Sequence, residues 1–342
     1  MTTQEKATGR PEFDGFRSFI CFTPERRKPT EYEMYTVGQQ SSPEQWLDVD
    51  WPLRFDDGRA PWDDSSSAVK STKWFDYRDP NKTWERPYVS QANEEEQALS
   101  RIVPVLTKGS SRGLDATWAR EILGTTYAAW PFVEYGLFLA LAYAVREARA
   151  DTVEFATVFQ AADRMRLLQD IVLHLDFLGD EVDGFSDAGA REAWMSDDTL
   201  VPIREIVEHL SASKDWVEII LVSQLVFEPL LGYLAKYELF GRGAAVSGDA
   251  VTPVVLAQGA ASAERGVAIA TRLVQLVVAD PDTGAANAEV INGWIAKWKP
   301  MCESAARAFL PRFGVAGGDG QAALGRALAN SEAALSGAGL KA

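Results

Sequence analysis

From Asn93 onward, apolar side chains recur at steps of three and four, the period of an amphipathic helix. The pattern predicts helices over about 93–109, 114–150, 152–178, 199–212, 215–241, 252–279 and 284–312. "DDTLVP" and "SGDAVTP" read as helix starts, with proline tolerated in the first turn. Pro104 leaves the second half of the first helix open, and Pro131 predicts a kink in the second. No run of alternating β-branched residues occurs, so the fold class is all-α.

The two ends break the pattern. Residues 1–92 are punctuated by Pro and Gly and hold no helical period. They nevertheless carry five of the eleven tryptophans, Trp46, Trp51, Trp62, Trp74 and Trp84. A disordered tail is poor in aromatics, so this is expected to be an ordered, irregular arm. Two readings stand side by side: it packs over its own helices, or it wraps a partner with tryptophan anchors. The helical domain is expected over 93–313, followed by a Gly/Ala-rich tail, 314–342, with one weak helix that then frays.

Two windows, "WPFVEYGLFLALAYAV" and "EIILVSQLVFEPLLGYLAKYELF", are strongly apolar. The first is too short to span a bilayer and contains Glu134; the second is interrupted by Glu228 and Lys236. Both read as core helices. The formal net charge of −15 argues against nucleic acid and anionic membrane surfaces as partners. Two cysteines, Cys21 and Cys302, suit a reducing compartment without a disulfide framework. The opening "MTTQEKATGRPEFDG" has no apolar core and is not a secretory signal, so a soluble cytoplasmic protein is expected.

Buried carboxylates are the candidate chemistry. A di-iron site in a helical bundle takes one Glu from each of two helices and Glu-x-x-His from each of two others. This chain keeps that frame and lacks its ligands. Glu134 stands alone in an apolar helix, and thirty residues later Arg164 and Leu167 fill the Glu-x-x-His places. Glu228 likewise stands alone, and Ala263 and Gly266 fill the second pair of places. In the wider frame Asp163 precedes Arg164, and Ser262 takes its place in the second half. Neither His174 nor His209 has a carboxylate three residues before it; Ile171 and Ile206 stand there. Asp170 and Glu205, four residues before, give the spacing of a helix-surface pair, so both histidines are expected at the surface or at a cap. An unpaired buried carboxylate is costly, and arginine holds one with two bonds while remaining charged. A buried charge network of Glu134, Asp163, Arg164, Arg166, Glu228 and Arg265 is therefore expected, with no catalytic, cofactor or metal site in this chain. A phosphate loop and a nucleophile elbow are also missing from the sequence.

The pieces "RKPTEYE", "STKWFDYRDPNKTWERPYVSQ", "AAWPFVEYGL", "AADRMRLLQD", "AREAW" and "LVFEPLLGYLAKYELF" carry a family likeness. Over about 16–312 the chain resembles the β, or small, hydroxylase subunit of bacterial multicomponent soluble di-iron monooxygenases, which include methane, propane, alkene, phenol and toluene systems. The resemblance implies a ferritin-like (ribonucleotide reductase-like) bundle without metal. It implies an α, or large, subunit that holds the di-iron centre and is overlain by the N-terminal arm. It further implies an effector protein and a separate reductase carrying FAD and [2Fe-2S] that delivers electrons from NADH. Short alkenes are the first expectation for substrate, then propane, then aromatics. Two rival readings are a helical scaffold protein with an unrelated partner, and a carboxylate-only metalloenzyme using Glu134, Asp163 and Glu228. Arg164 speaks against the second, because a fixed positive charge repels a bound cation.

Overall fold

The computed structural model describes residues 22–26, 28–40, 58 and 63–340. Trp46, Trp51 and Trp62, and with them most of the expected partner-binding set, lie outside these residues. Among the described residues the regular structure is helical throughout. A short helix α1, Glu31–Tyr35, opens on a capping box in which Thr30 and Glu33 satisfy each other's backbone N–H. The long helices are α2 (Glu85–Ser110), α3 (Trp118–Glu147), α4 (Asp151–Glu181), α6 (Val201–Ala212), α7 (Trp216–Val246), α8 (Thr252–Val278) and α9 (Gly284–Phe309). Shorter pieces, α5 (Ala190–Ser196) and α10 (Pro311–Val315), fill the connections, and α11 (Gly320–Gly337) ends the chain.

Helices α3, α4, α7 and α8 form the central bundle. A three-residue link makes α3 and α4 an antiparallel pair. Helix α7 is mainly apolar and buried on nearly all sides, with α8, α9 and α11 covering it. Asp215 caps its start by accepting from Val217 and Glu218 N–H at 3.0 and 3.1 Å. Asp249 does the same before α8, accepting from Val251 and Thr252 N–H, with Pro253 in the first turn. Both α3 and α7 are long and apolar enough to cross a membrane; α7 is almost completely enclosed by protein, and α3 is buried over a little more than half of its apolar stretch.

Two expectations, the start of α2 and the fraying of the tail, are corrected here. Helix α2 begins at Glu85 rather than Asn93, because Pro87 falls in its first turn, where a backbone N–H has no intrahelical partner to lose. It continues through Pro104, and the carbonyl freed by that proline belongs to the exposed Ser100. Helix α3 also continues through Pro131; its first part, Trp118–Tyr127, is π-wound, and the looser turns lead directly into the proline. The C-terminal segment does not fray. Asp319 caps α11, and its small residues Ala323, Ala327 and Ser331 recur every fourth position with Leu335, forming a narrow stripe that lets it lie close against α7.

The described part of the arm packs on its own chain. Asn287 at the start of α9 receives the Lys70 N–H at 2.9 Å and donates to the Lys70 carbonyl at 2.6 Å. Asp280 accepts from Ser71 Oγ and Thr72 N–H, and Asp215 accepts from Ala68 N–H. Trp74 is only 5 % exposed and lies 5.1 Å from the Trp216 ring, so it anchors the arm to its own chain. Trp84 stacks on Tyr35 at 4.7 Å.

Candidate functional site

The middle of the bundle is charged. Glu134 comes from α3, Arg164 from α4, and Glu228 and Lys236 from α7, all essentially buried. Arg164 Nη1 donates to Glu134 Oε2 at 3.0 Å and to Glu228 Oε2 at 2.6 Å. Lys236 Nζ lies 2.6 Å from Glu228 Oε1, a charge contact without hydrogen-bond alignment, and 3.5 Å from Glu134 Oε1. Trp130, one turn before Glu134, donates its indole N–H to Glu134 Oε1 at 2.9 Å. Two carboxylates thus face two cations, and the formal charge of the cluster is zero. Burial by itself would raise the Glu228 carboxyl, but Arg164 and then Lys236 outweigh it and hold that group down to about 2. Burial works against the Arg164 charge as well, and Glu228 and Glu134 reverse it, keeping the guanidinium protonated above its ordinary range.

Two glycines make the cluster possible. A Cβ on Gly232 would stand 2.6 Å from the Glu228 carboxylate, which folds back over that bare position one turn along α7. On α8, a Cβ on Gly266 would stand 2.1 Å from Gln224 Oε1 and 2.7 Å from Gln160 Oε1. These amides, one turn before Glu228 and Arg164 respectively, occupy the volume into which a larger side chain at 266 would project.

The expected network is split in two. Arg166 and Arg265 do not reach Glu134 or Glu228. They converge instead on Asp163, 5 % exposed, whose Oδ2 accepts from Arg265 Nη2 at 2.6 Å and Ser262 Oγ at 2.7 Å. Its Oδ1 accepts from Tyr88 Oη at 2.8 Å, with Arg166 Nη1 3.5 Å away. Arg166 then ties α4 to α2 through Glu95 at 2.9 Å and the Ala92 carbonyl. Asp163 thereby joins α2, α4 and α8. Of the other frame positions, Leu167 is buried against Gly259, and Ala263 lies on the wall of a cavity. Lys236 was legible only as an interruption of an apolar run. Eight residues from Glu228, it lies beyond the three- and four-residue steps that pair neighbours on a helix, so no local signal joined them.

His174 is not at the surface. It is fully buried, and its Nδ1 is 3.1 Å from Tyr127 Oη. Burial pushes the imidazole down to about 4, so it is neutral at pH 7. His209 is exposed in the last turn of α6, where a cation suits the helix terminus. Asp170, one turn before His174, is pushed up to about 7, first by burial and then by Glu96 on α2.

This donor set does not fit a di-iron centre. The carboxylates are already engaged by fixed cations, nitrogen donors are lacking at 167 and 266, and a ligand at 266 would collide with Gln224. Among the described residues no group of three or more His, Cys, Asp or Glu is arranged to hold a metal.

The methane/phenol/alkene hydroxylase family matches residues 51–281. The small subunit of the propane 2-monooxygenase hydroxylase component from Rhodococcus jostii (strain RHA1) is 32 % identical over 311 residues, covering 90 % of this chain and 84 % of that one. The β chain of methane monooxygenase component A from Methylosinus trichosporium is 32 % identical over 294 residues, covering 82 % and 74 %. Among solved structures, xenon-pressurised phenol hydroxylase from Pseudomonas sp. OX1 superposes with a TM-score of 0.78 at 17 % identity, over 92 % of each chain. Toluene-bound toluene 4-monooxygenase gives 0.73 at 23 %, over 83 % of this chain and 94 % of that one. The helical architecture is therefore the ferritin-like one of these hydroxylases. The chain belongs to the methane/phenol/alkene hydroxylase family, as a β subunit of a multicomponent di-iron monooxygenase.

Proposed function

We propose that this chain is the non-catalytic, supporting subunit of a cytoplasmic oxygenase component, and that a larger α subunit bound to it holds the di-iron centre. In that assembly one atom of O2 enters a small hydrocarbon and the other leaves as water. NADH supplies two electrons through a separate reductase with FAD and [2Fe-2S], and an effector protein completes the system. The observation that carries the reading is the neutral cluster of Glu134, Arg164, Glu228 and Lys236, where Arg164 stands at a frame position that a metal ligand takes in a di-iron bundle and Lys236 completes the charge balance. A bundle closed in this way contributes a rigid framework, and the exposed apolar side chains Phe132, Tyr135 and Leu139 of α3 give a partner something to bury.

Short-alkene epoxidation is the proposed reaction. Propane hydroxylation is the second reading, favoured by the 32 % identity to a propane 2-monooxygenase small subunit. The test is to co-express this chain with a candidate larger subunit carrying two Glu-x-x-His motifs, then supply reductase and effector protein. Propene and propane are compared as substrates, and iron is measured in each separated subunit. Iron confined to the larger chain, with turnover only in the assembly, is the expected result. Iron retained by this chain alone, or turnover without a partner, would refute the supporting role.

A further inference from the structure

Helices α7, α8 and α11 line a cavity of about 370 Å³, open to solvent on one side, that the proposed framework role does not use. Its volume falls within the range of small-molecule sites, roughly 300–1,000 Å³. Glu228 closes its inner end, and Glu264 stands exposed on its wall. Tyr233 and Tyr237, one turn apart on α7, stack at 5.1 Å and present aromatic surface to it. Asn330 of α11 joins the wall while its amide nitrogen donates to the Pro229 carbonyl at 2.8 Å. The remaining surface is alanine, proline and Val267, and no lysine or arginine takes part.

The charge balance decides what such a cavity favours. Arg164 and Lys236 neutralise Glu228 from the core side. Glu264 has no ion pair among the described residues, so the cavity wall keeps one uncompensated negative charge. The field is felt by Tyr237, whose hydroxyl is pushed up to about 12, first by burial and then by Glu228 and Glu264. A carboxylate beside stacked phenol rings, with apolar walls around them, suits a cation carried on a short aliphatic stem. The carboxylate supplies the charge contact, the ring faces supply cation–π attraction, and the alanines and Val267 cover the methylenes. We propose that this cavity binds an aliphatic ammonium or guanidinium group, either as a free amine or as a basic side chain of a bound chain.

The proposal does not depend on the supporting role of the subunit. The probe is n-butylammonium, titrated into the full-length chain and followed by ligand-observed NMR, with 1-butanol as the neutral control of similar shape. Saturable binding of the cation is expected to exceed that of the alcohol by about fivefold or more and to fall by a similar factor in Glu264→Gln. Glu264 is exposed, so its variant keeps the fold. Equal affinity for cation and alcohol, an unchanged affinity in Glu264→Gln, or no saturable binding would overturn the assignment. Repeating the titration on the chain assembled with its larger subunit separates the sources. Retained binding assigns a free amine. Loss of binding, together with weaker assembly of Glu264→Gln, assigns a basic side chain of the partner. A cavity sealed in the assembly, with assembly indifferent to Glu264→Gln, would also refute the proposal.

Discussion

The Lys236 ammonium lies 2.6 Å from the Glu228 carboxylate, eight residues before it on the same buried helix. With Arg164 on the other side, each carboxylate of the central cluster is held between two cations. Such a cluster is stable as a set and fragile in its parts. Arg164→Met leaves Glu134 and Glu228 sharing one ammonium and is expected to lose about 3–5 kcal/mol. Replacing all four members with apolar residues of similar volume is expected to cost far less, or to stabilise by about 1–4 kcal/mol. Urea unfolding of the two variants checks the order; a single variant milder than the fourfold one would contradict the pairing.

Glycines at 232 and 266 are required by contact rather than by backbone freedom. Gly266→Ala would drive a methyl into Gln224 and Gln160, and Gly232→Ala would displace the Glu228 carboxylate. Each is expected to destabilise by about 1–3 kcal/mol. Gly325 on α11 meets nothing within 4 Å, so Gly325→Ala is expected to stabilise by about 0.5–1 kcal/mol. Thermal denaturation of the three variants measures the contrast, and a gain at 266 would show that the amides move aside freely.

Asp170 and His174 push stability in opposite directions with pH. The folded-state carboxyl of Asp170, at about 7, lies above its ordinary 3.8, so the folded protein binds the extra proton between these values and loses stability as pH rises through them. His174, at about 4, lies below its ordinary 6.5, so stability is lost as pH falls from 6.5 toward 4. Asp170→Asn is expected to raise the melting temperature at pH 8 and to raise it by less at pH 5, where only the first part of that loss has accrued. A gain of equal size at both pH values would count against a buried, titrating carboxyl.

Asn287 holds the arm by both backbone groups of Lys70, as a neighbouring strand would. Asn287→Ala leaves those groups without this partner and is expected to cost about 1–3 kcal/mol. Limited proteolysis is expected to cut between 63 and 84 faster than in the unaltered chain. An unchanged cleavage rate would mean that Asp280 and Trp74 suffice.

The long amphipathic and apolar periods made the bundle legible, and the pairing of Glu134 and Glu228 with arginine followed from the cost of burying charge. Which arginine was not legible. Arg164, Arg166 and Arg265 lie in similar local patterns, and only the rotation of α4 and α8 decides that Arg164 points inward while the others gather on Asp163. His174 was misread because a carboxylate four residues away looks the same on a wet face as on a dry one. Helix α11 was misread because alanine and glycine signal weak intrinsic order, whereas here they permit a close approach to α7. Of the two readings of the arm, packing on its own helices holds for Trp74, whose neighbour Trp216 lies some 140 residues away and leaves no local mark in the sequence.

The knot among α3, α4 and α7 also bears on how such a chain can change over generations. Putting a metal ligand in place of Arg164 strands the Glu134 and Glu228 charges in the dry interior, and a ring at 266 must first evict two glutamines. Single steps toward a metal site at these positions therefore pass through destabilised chains, and the fold itself guards its present pairing.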